Sequence, residues 1–341
     1  MGEAPYSARG PRAFPREGTA AGTTATTGPS HTSIVAPGGT AILDDRPLEI
    51  PSLRDLPAAV AAARPFLARA RAQRGARWVN HEGGDVDGNG STASLVRHVA
   101  NYLVAVRVAG GPPSRLVDVG SGVGALGAWL ADRLGGVPLH LVDHSAALRR
   151  IAAAAFPDAQ VHADTAGLEP EPRSLVTAME VIEHIEPGAQ RDFVASLWRL
   201  VGSGGALVLS TPDESGFRGG WSGYAPHIGP LDAAGLRRVV SEATGAPVTV
   251  WRLYGTPYRI GPLRRVLQPP LNRAWGAVSR SLPSAATRLA SLATPVVSRL
   301  ARAVPRGERA TPPVVVREAG PDEAPTANLD GNGLIAVVRR P

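Results

Sequence analysis

The sequence predicts an α/β protein in which a largely parallel β-sheet is covered by helices on both faces. From Arg115 onward, short apolar runs alternate with helical segments, and this alternation is typical of βαβ units. The first run, Leu116–Val119, ends in a glycine-rich turn that opens a helix. Further predicted strands are "PLHLVD", "AQVHAD", "SLVTAM", "GALVLST" and "PVTVWRL", and "GLIAVVRR" at the end of the chain is the last.

The region before the sheet divides into two parts. Residues 1–45 are rich in Gly, Pro, Ser, Thr and Ala without periodicity, so they are predicted to form a disordered tail. Residues 46–110 are predicted to form an N-terminal helical cap region. It contains a helical pattern from Leu53 to Trp78, broken or kinked at Pro65, and a second helix over Thr92–Ala109.

The core is predicted to comprise residues 111–256 together with 326–341, and residues 257–325 form a basic helical insert between the last two strands. The chain has a net charge of +7, yet the segment Arg252–Arg309 alone carries 11 Arg and a single acidic residue, Glu308. A helical lid or oligomer contact with a solvated Arg face is one interpretation. A peripheral membrane surface is another. Sparse aromatic residues disfavour nucleic acid, and the oligomeric state stays open.

Composition excludes several classes of chemistry. The 341 residues include no Cys, and all 36 basic residues are Arg. Without Cys there are no disulfides, zinc–thiolate sites or thiol nucleophiles. Without Lys there is neither a Walker phosphate loop nor a Schiff-base enzyme. No signal peptide and no run of 18 apolar residues is visible, so a cytoplasmic protein is expected, with membrane association through the insert as an addition.

The glycine-rich turn lies in "LVDVGSGVGALG" and permits two interpretations. Gly122, Gly124 and Gly127 match G-x-G-x-x-G, the dinucleotide fingerprint. The alternative uses Gly120, Gly122 and Gly124, with Asp118 two residues before the first. An acid at this strand end disfavours an anionic pyrophosphate and suits a ligand with an ammonium and a sulfonium centre.

Five motifs in order make a resemblance specific. "VDVGSGVG" resembles motif I of the class I S-adenosylmethionine-dependent methyltransferases, "LVDHS" their second motif and "VHADT" their third. "SLVTAMEVIEHIEP" resembles the motif after strand four, and "LRRVVSEATG" resembles the late helix. The resemblance covers about half of the chain. It implies a Rossmann-like, seven-stranded, mostly parallel sheet whose last strand is antiparallel, with S-adenosyl-L-methionine as the cofactor.

The resemblance also implies a cofactor site. The glycines shape the loop, with Asp118 near the methionine amine. Asp143 is expected to bind the ribose hydroxyls, and Asp164 to lie near the adenine. The predicted cofactor-binding residues are Asp118, Gly120, Ser121, Gly122, Gly124, Asp143, His144, Asp164, Thr165 and Glu180.

The acidic–histidine stretch "MEVIEHIEP" follows the fourth strand and therefore lies at the mouth of the site. In one interpretation His184 is a general base oriented by Glu183 or Glu180, with His227 as a second candidate. In another, Glu180, Glu183, His184 and His227 hold Mg, Mn or Fe, which resembles the small-RNA terminal 2′-O-methyltransferases. In the third, the helix dipole favours Glu183 and His184 packs near the cofactor. The predicted catalytic residues are His184, Glu183 and His227, and no metal is assigned.

The favoured function is S-adenosylmethionine-dependent O-methylation of a small or lipid-like metabolite. Three alternatives remain open. They are a metal-dependent RNA 3′-terminal 2′-O-methyltransferase, an NAD(P)-dependent oxidoreductase, and a non-catalytic protein with a cofactor fold that docks a membrane or a partner.

Overall fold

A computed structural model describes the parts of the chain that carry the predicted sheet. The described residues are 53–73, 92–109, 112–215, 217, 222–224, 226–254, 266–267, 269–271, 273–274, 315–318 and 333–341. The predicted tail over residues 1–45 and most of the insert over 257–325 lie outside these ranges.

The described chain alternates strands and helices as the sequence predicts. The helices are α1 (Leu56–Ala72), α2 (Thr92–Ala109), α3 (Ala125–Arg133), α4 (Ala146–Ala155), α5 (Gln190–Leu200) and α6 (Ala233–Thr244). The strands are β1 (Leu116–Val119), β2 (Leu139–Val142), β3 (Gln160–His162), β4 (Leu175–Met179), β5 (Ala206–Pro212), β6 (Thr249–Tyr254), β7 (Val315–Glu318) and β8 (Gly333–Arg339).

The strands form one sheet in the order β3-β2-β1-β4-β5-β8-β6-β7. Strands β1 to β5 are parallel to one another, while β8 is antiparallel to both β5 and β6. The mostly parallel sheet with an antiparallel last strand is therefore confirmed, as is the pairing of "GLIAVVRR" with "PVTVWRL".

Strand β7 departs from the sequence-based prediction. It pairs antiparallel with β6 at the edge of the sheet, where Tyr254 lies opposite Val315. Residues 257–325 were predicted to be a basic helical insert, whereas Val315–Glu318 within them form a strand. A short run rich in Val fits an edge strand, since β-branched side chains pack well on a pleated surface. The sheet thus has eight strands among the described residues instead of seven.

Side-chain alternation along the strands builds a core on each face. On β5, Val208 belongs to the core shared with α1 to α4, while Leu207 and Leu209 belong to the core shared with α5 and α6. The same alternation holds on β1 and β8. Helices on both faces are confirmed, and α2 lies directly against β4, β5 and β8.

The helix ends follow from local sequence. Asp232 caps α6 by accepting a hydrogen bond from the Gly235 N–H at 2.7 Å, and Gly245 ends it in a left-handed conformation. Helix α1 continues through Pro65, so the break expected at this residue does not occur. Pro65 and Ala61, whose carbonyl loses its usual partner, both lie on the exposed side where water can bond that carbonyl. No helix in the described ranges is long and apolar enough to cross a membrane.

A buried ion pair ties the end of β5 to β6. The Arg252 Nε donates to the Asp213 Oδ2 at 2.8 Å, and both side chains are almost fully buried. Removing one partner of a buried pair leaves the other charge in a low-dielectric interior, which costs more than the pair itself contributes.

Replacing Asp213 with Ala should therefore lower the free energy of unfolding by about 3–5 kcal/mol. Chemical denaturation of the two proteins measures this loss. Asp158→Ala is the matched control, since Asp158 is exposed, and its effect should stay within about 0.5 kcal/mol. Equal small effects of both substitutions would show that the pair does not hold the sheet.

Candidate functional site

The loops that follow β1, β2, β4 and β5 all leave the sheet at the same edge, because these strands are parallel. Ligands of open α/β sheets bind at this edge. The glycine turn, Asp143 and the acidic–histidine stretch come together here, as the sequence predicts.

The glycine turn has a backbone that other residues would not tolerate. Gly120, Gly122 and Gly124 have φ values of +71°, +58° and +76°, in the left-handed region that favours glycine. A Cβ on Gly120 would lie 2.3 Å from Val181 Cγ2, and one on Gly124 would lie 2.5 Å from Leu141 Cδ1. The glycines therefore serve both the turn and its close packing on β2 and on the segment after β4.

Four N–H groups of this turn already have acceptors in the turn or at the end of β2. Gly120 and Ser121 both donate to the Val142 carbonyl, at 2.8 and 3.1 Å, and Gly124 donates to the Ser121 carbonyl at 2.9 Å. Gly122 donates to Asp143 Oδ2 at 2.8 Å. These four donors are not available to a pyrophosphate, which weakens the dinucleotide interpretation.

Asp143 directly follows β2, and each of its carboxylate oxygens accepts one backbone hydrogen bond. Its Oδ1 accepts from the Ser145 N–H at 2.8 Å. Each carboxylate oxygen can accept a further hydrogen bond, so Asp143 suits a ligand that presents hydroxyl donors. The Ser121 hydroxyl beside it is buried and has no hydrogen-bond partner among the described residues, which leaves it able to bond a ligand.

The remaining predicted cofactor residues of these loops lie at the rim. The His144 side chain is 89% exposed. Asp164 is exposed and uses its Oδ1 to accept from the Ala166 N–H at 2.9 Å, while Thr165 is half-buried. These three side chains therefore lie at the edge of the opening and not at its base.

The structure places Asp118 inside β1, and its predicted proximity to the methionine amine stays a prediction. It is fully buried in β1, where the Tyr102 and Thr177 hydroxyls donate to it at 2.9 and 2.6 Å. A Cβ on Gly127 would lie 2.5 Å from its Oδ2, so this glycine serves packing on the carboxylate. Burial raises the pKa of Asp118 to about 6, against the opposing effect of these two hydroxyl donors.

Glu180 joins α2, β4 and β5. Its backbone has a φ of +59°, which is uncommon for a residue with a side chain. Its carboxylate lies 2.9 Å from Arg97 Nη2 and accepts from Asn101 Nδ2 at 3.1 Å and the Ser210 hydroxyl at 3.0 Å. Burial raises its pKa, but the Arg97 guanidinium and the other donors outweigh burial and lower it overall.

The three predicted catalytic residues come together at the opening. Glu183, His184 and His227 each offer a ligand atom, and these atoms lie within 4.8 Å of one another. The imidazole rings of His184 and His227 meet edge to face, with centroids 5.0 Å apart. Glu180 is not in this cluster, so the predicted four-residue metal set is not assembled.

The hydrogen-bond partners of the two Nδ1 atoms indicate where each imidazole carries its proton. His184 Nδ1 lies 3.0 Å from the Pro226 carbonyl, and His227 Nδ1 lies 2.7 Å from Glu214 Oε1. Both partners only accept hydrogen bonds, so each Nδ1 carries the proton and each neutral ring keeps an unprotonated Nε2. Burial lowers the pKa of His184, and His227 lowers it further, so His184 is a neutral acceptor at pH 7.

Glu183 is the least solvated member of the cluster. It is 1% exposed, and neither carboxylate oxygen has a hydrogen bond of ordinary geometry among the described residues. Burial raises its pKa well above the usual range, and the nearby Glu180 charge raises it further, although the neighbouring Thr211 hydroxyl opposes this. Its Oε1 lies 3.9 Å from His184 Nε2.

Sequence reasoning missed several residues that organise the site. Arg97, Asn101 and Tyr102 belong to a helix assigned to a cap, and Glu214 lies beyond the last motif of β5. Arg97 and Asn101 are polar residues four positions apart in a largely apolar helix, so they share a face. That spacing was the available signal for a buried polar contact. Nothing local marked Glu214 as the partner of His227.

The sheet order and the glycine turn define a class of α/β domain that binds its ligand beyond the carboxyl ends of the strands. Residues 92–245 match the family model described as methyltransferase domain. This part of the chain is therefore similar to methyltransferase domains, which agrees with the resemblance to the class I S-adenosylmethionine-dependent superfamily.

Solved structures with similar folds are distant. Phosphoethanolamine N-methyltransferase 2 of Haemonchus contortus, in complex with S-adenosyl-L-methionine, shares 15% identity over 71% of this chain and 52% of its own, at a TM-score of 0.40. The 4+2 cyclase SpnF shares 15% identity over 85% of this chain and 97% of its own, at a TM-score of 0.47.

A TehB-like methyltransferase from Corynebacterium glutamicum shares 14% identity over 59% of this chain and 93% of its own, at a TM-score of 0.36. The chain thus spans about half the length of the nematode enzyme. No curated protein matches the sequence. Likeness at this level carries no argument about substrate.

The raised pKa of Asp118 predicts a specific pH dependence of stability. Between pH 4 and 6 the folded protein binds a proton at Asp118 that the unfolded chain, with a pKa of 3.8, does not. Its contribution to folding is therefore most favourable below pH 4 and is lost as the pH rises through 6, by on the order of 3 kcal/mol.

Asp118→Asn removes this titration. We expect the difference in unfolding free energy between the variant and the parent to change progressively between pH 4 and 7, in the sense that the variant gains relative stability as the pH rises. Denaturant titrations across this range measure the difference. A difference that stays constant over that range would contradict a protonated, buried Asp118.

Proposed function

We propose that the protein transfers a methyl group from S-adenosylmethionine to a hydroxyl group of a small or lipid-like molecule. One observation carries the proposal. The glycine turn with Asp143 and the imidazole pair of His184 and His227 open at the same edge of the sheet. A cofactor half and an acceptor half thus face one another.

The turn after β1 fits this cofactor. Asp143 can accept ribose hydroxyls on lone pairs that its bonds to Gly122 and Ser145 leave open. The buried Ser121 hydroxyl offers a further polar contact. The carboxylates around the opening favour a ligand with cationic groups, and S-adenosylmethionine supplies a methyl group activated by its sulfonium charge.

The acceptor half provides groups that can take a proton. The acceptor hydroxyl oxygen forms a bond to the methyl carbon while the carbon–sulfur bond breaks, and the sulfonium becomes a neutral thioether. The hydroxyl proton must leave, and we assign the Nε2 of His184 as its acceptor, with His227 as the second candidate. This agrees with the base role predicted for His184.

The other three functions receive less support. An NAD(P)-dependent oxidoreductase would need free N–H groups in the turn, where four already donate to Val142, Ser121 or Asp143. The RNA 3′-terminal methyltransferase interpretation required Glu180 as a ligand, and Arg97 holds that carboxylate instead. The docking role was predicted for residues 257–325, which lie mostly outside the described residues. A cytoplasmic location with membrane association depends on that docking role and is proposed only together with it.

Cofactor preference can be measured by isothermal titration of the purified protein. We expect binding of S-adenosylmethionine and S-adenosylhomocysteine and none of NAD. Asp143→Ala should weaken this binding by about 10- to 100-fold, since it removes hydrogen bonds to a charged group worth about 1.5–3 kcal/mol. Asp158→Ala, on the exposed turn after α4, is the matched control. Tight NAD binding without S-adenosylmethionine binding would overturn the proposal.

Acceptor chemistry can be tested with methyl-labelled cofactor and a panel of hydroxyl-bearing metabolites and lipid-like alcohols. Matched amines and thiols serve as controls. We expect label in an ether-linked product and a fall in kcat of about 10²- to 10⁴-fold in His184→Gln, because a positioned proton acceptor contributes about that much. Cofactor affinity should be unchanged in this variant. Label transferred only to amines would contradict O-methylation.

A further inference from the structure

We propose that Glu183, His184 and His227 together bind a divalent first-row transition-metal ion. This inference rests on the proposed function and gives its acceptor half a second route to activate a hydroxyl, in which a bound cation takes the place of the free imidazole base. It begins from geometry, since one oxygen and two nitrogen ligand atoms lie within 4.8 Å of one another at the opening.

The two histidines have the outer partners that metal ligands usually have. Metal-bound imidazoles donate their other N–H to a carboxylate or a backbone carbonyl, which orients the ring. His227 donates to Glu214 at 2.7 Å and His184 to the Pro226 carbonyl at 3.0 Å. Glu214 is itself fixed, because its Oε2 accepts from the Ser222 N–H at 3.1 Å. Both Nε2 atoms are therefore free to coordinate.

The buried carboxylate of Glu183 is the second, independent observation. A carboxylate that is 1% exposed normally has compensating hydrogen bonds or a cation. Neither oxygen of Glu183 has a hydrogen bond of ordinary geometry among the described residues, although the Glu183 N–H and the Thr211 hydroxyl lie close enough to lower its pKa. Its Oε1 lies 3.9 Å from His184 Nε2, so a cation seated between the carboxylate and the imidazoles would compensate it.

The number of ligands indicates an open site. Arg97, Asn101 and Ser210 hold Glu180 away from the cluster, which leaves three protein ligands. Three ligands with free coordination positions are typical of metal sites that bind a substrate, whereas closed sites of four are structural. Two imidazoles and one carboxylate suit Mn, Fe, Co or Zn better than Mg or Ca.

An ion in this position would act on the acceptor. An acceptor oxygen bound at an open position would lose its proton more readily, because the cation lowers its pKa. With both Nε2 atoms coordinated, no free imidazole base remains and the proton passes to water. Activity of the metal-depleted protein therefore separates the two routes.

Cobalt(II) is the probe for the site. The full-length protein is stripped with a chelator, dialysed, and titrated with Co(II) while visible absorption and heat are recorded. We expect one equivalent to bind. Glu183→Gln and His227→Gln should weaken binding on the order of 100-fold or more, and Glu214→Gln by about 10- to 100-fold, as loss of an outer partner does.

Matched variants control for charge and for folding. Glu186→Gln changes an exposed acid of the same stretch, and His162→Gln changes a histidine of β3 outside the cluster; both should bind Co(II) like the parent. Glu183→Gln places a neutral amide in a buried position, so its thermal unfolding should match or exceed that of the parent. Absence of Co(II) binding, or equal binding by the cluster variants and their controls, would overturn the inference.

S-adenosylmethionine titration of the same stripped sample keeps this inference separate from the proposed function. Cofactor binding without Co(II) binding would contradict the proposed metal site and leave the proposed methyltransferase function standing. Co(II) binding without cofactor binding would remove the proposed function and retain the site. Full methyl-transfer activity in excess chelator would also contradict the proposed metal site.

Discussion

The contact on which the site most depends is the anchoring of Glu180. A left-handed backbone for a residue with a side chain costs about 1–3 kcal/mol and persists only where the surroundings hold it. Here Arg97 and Asn101 of α2 and Ser210 of β5 hold the carboxylate. The chain consequently turns sharply off β4, and Val181 comes to lie against the position where Gly120 has no side chain.

That turn creates two carboxylates of opposite character three residues apart. Glu180 has a guanidinium beside it, so its pKa is lowered despite burial. Burial and the charge of Glu180 raise the pKa of Glu183, against a smaller opposing effect of Arg97. Divergent pKa values in neighbouring acids are typical of functional sites. We infer that Glu180 holds the turn after β4 in place, whereas Glu183 lines the proposed site, although both are glutamates in the same short stretch.

The sequence predicted those features that local pattern determines. Helix α2 begins and ends where its periodicity predicted, at Thr92 and Ala109, and the ordered motifs predicted the sheet and the edge at which the site lies. Strand β7 was missed because four residues at a sheet edge carry too little periodic signal. Glu214 was missed because its role depends on where the chain returns, and contacts between distant segments leave no mark on local spacing.

The segment that carries His227 explains why the cluster forms at all. The Gly229 N–H donates to the Glu183 carbonyl at 3.0 Å, and the Gln190 amide donates to the Gly229 carbonyl. A Cβ on Gly229 would lie 2.2 Å from the Ile185 carbonyl oxygen, so only glycine allows this approach. Backbone contacts therefore hold His227 beside the turn after β4 whether or not a ligand is present. Since Glu180 is held by Arg97, Asn101 and Ser210, the cluster consists of the three ligand groups on which the proposed metal site rests.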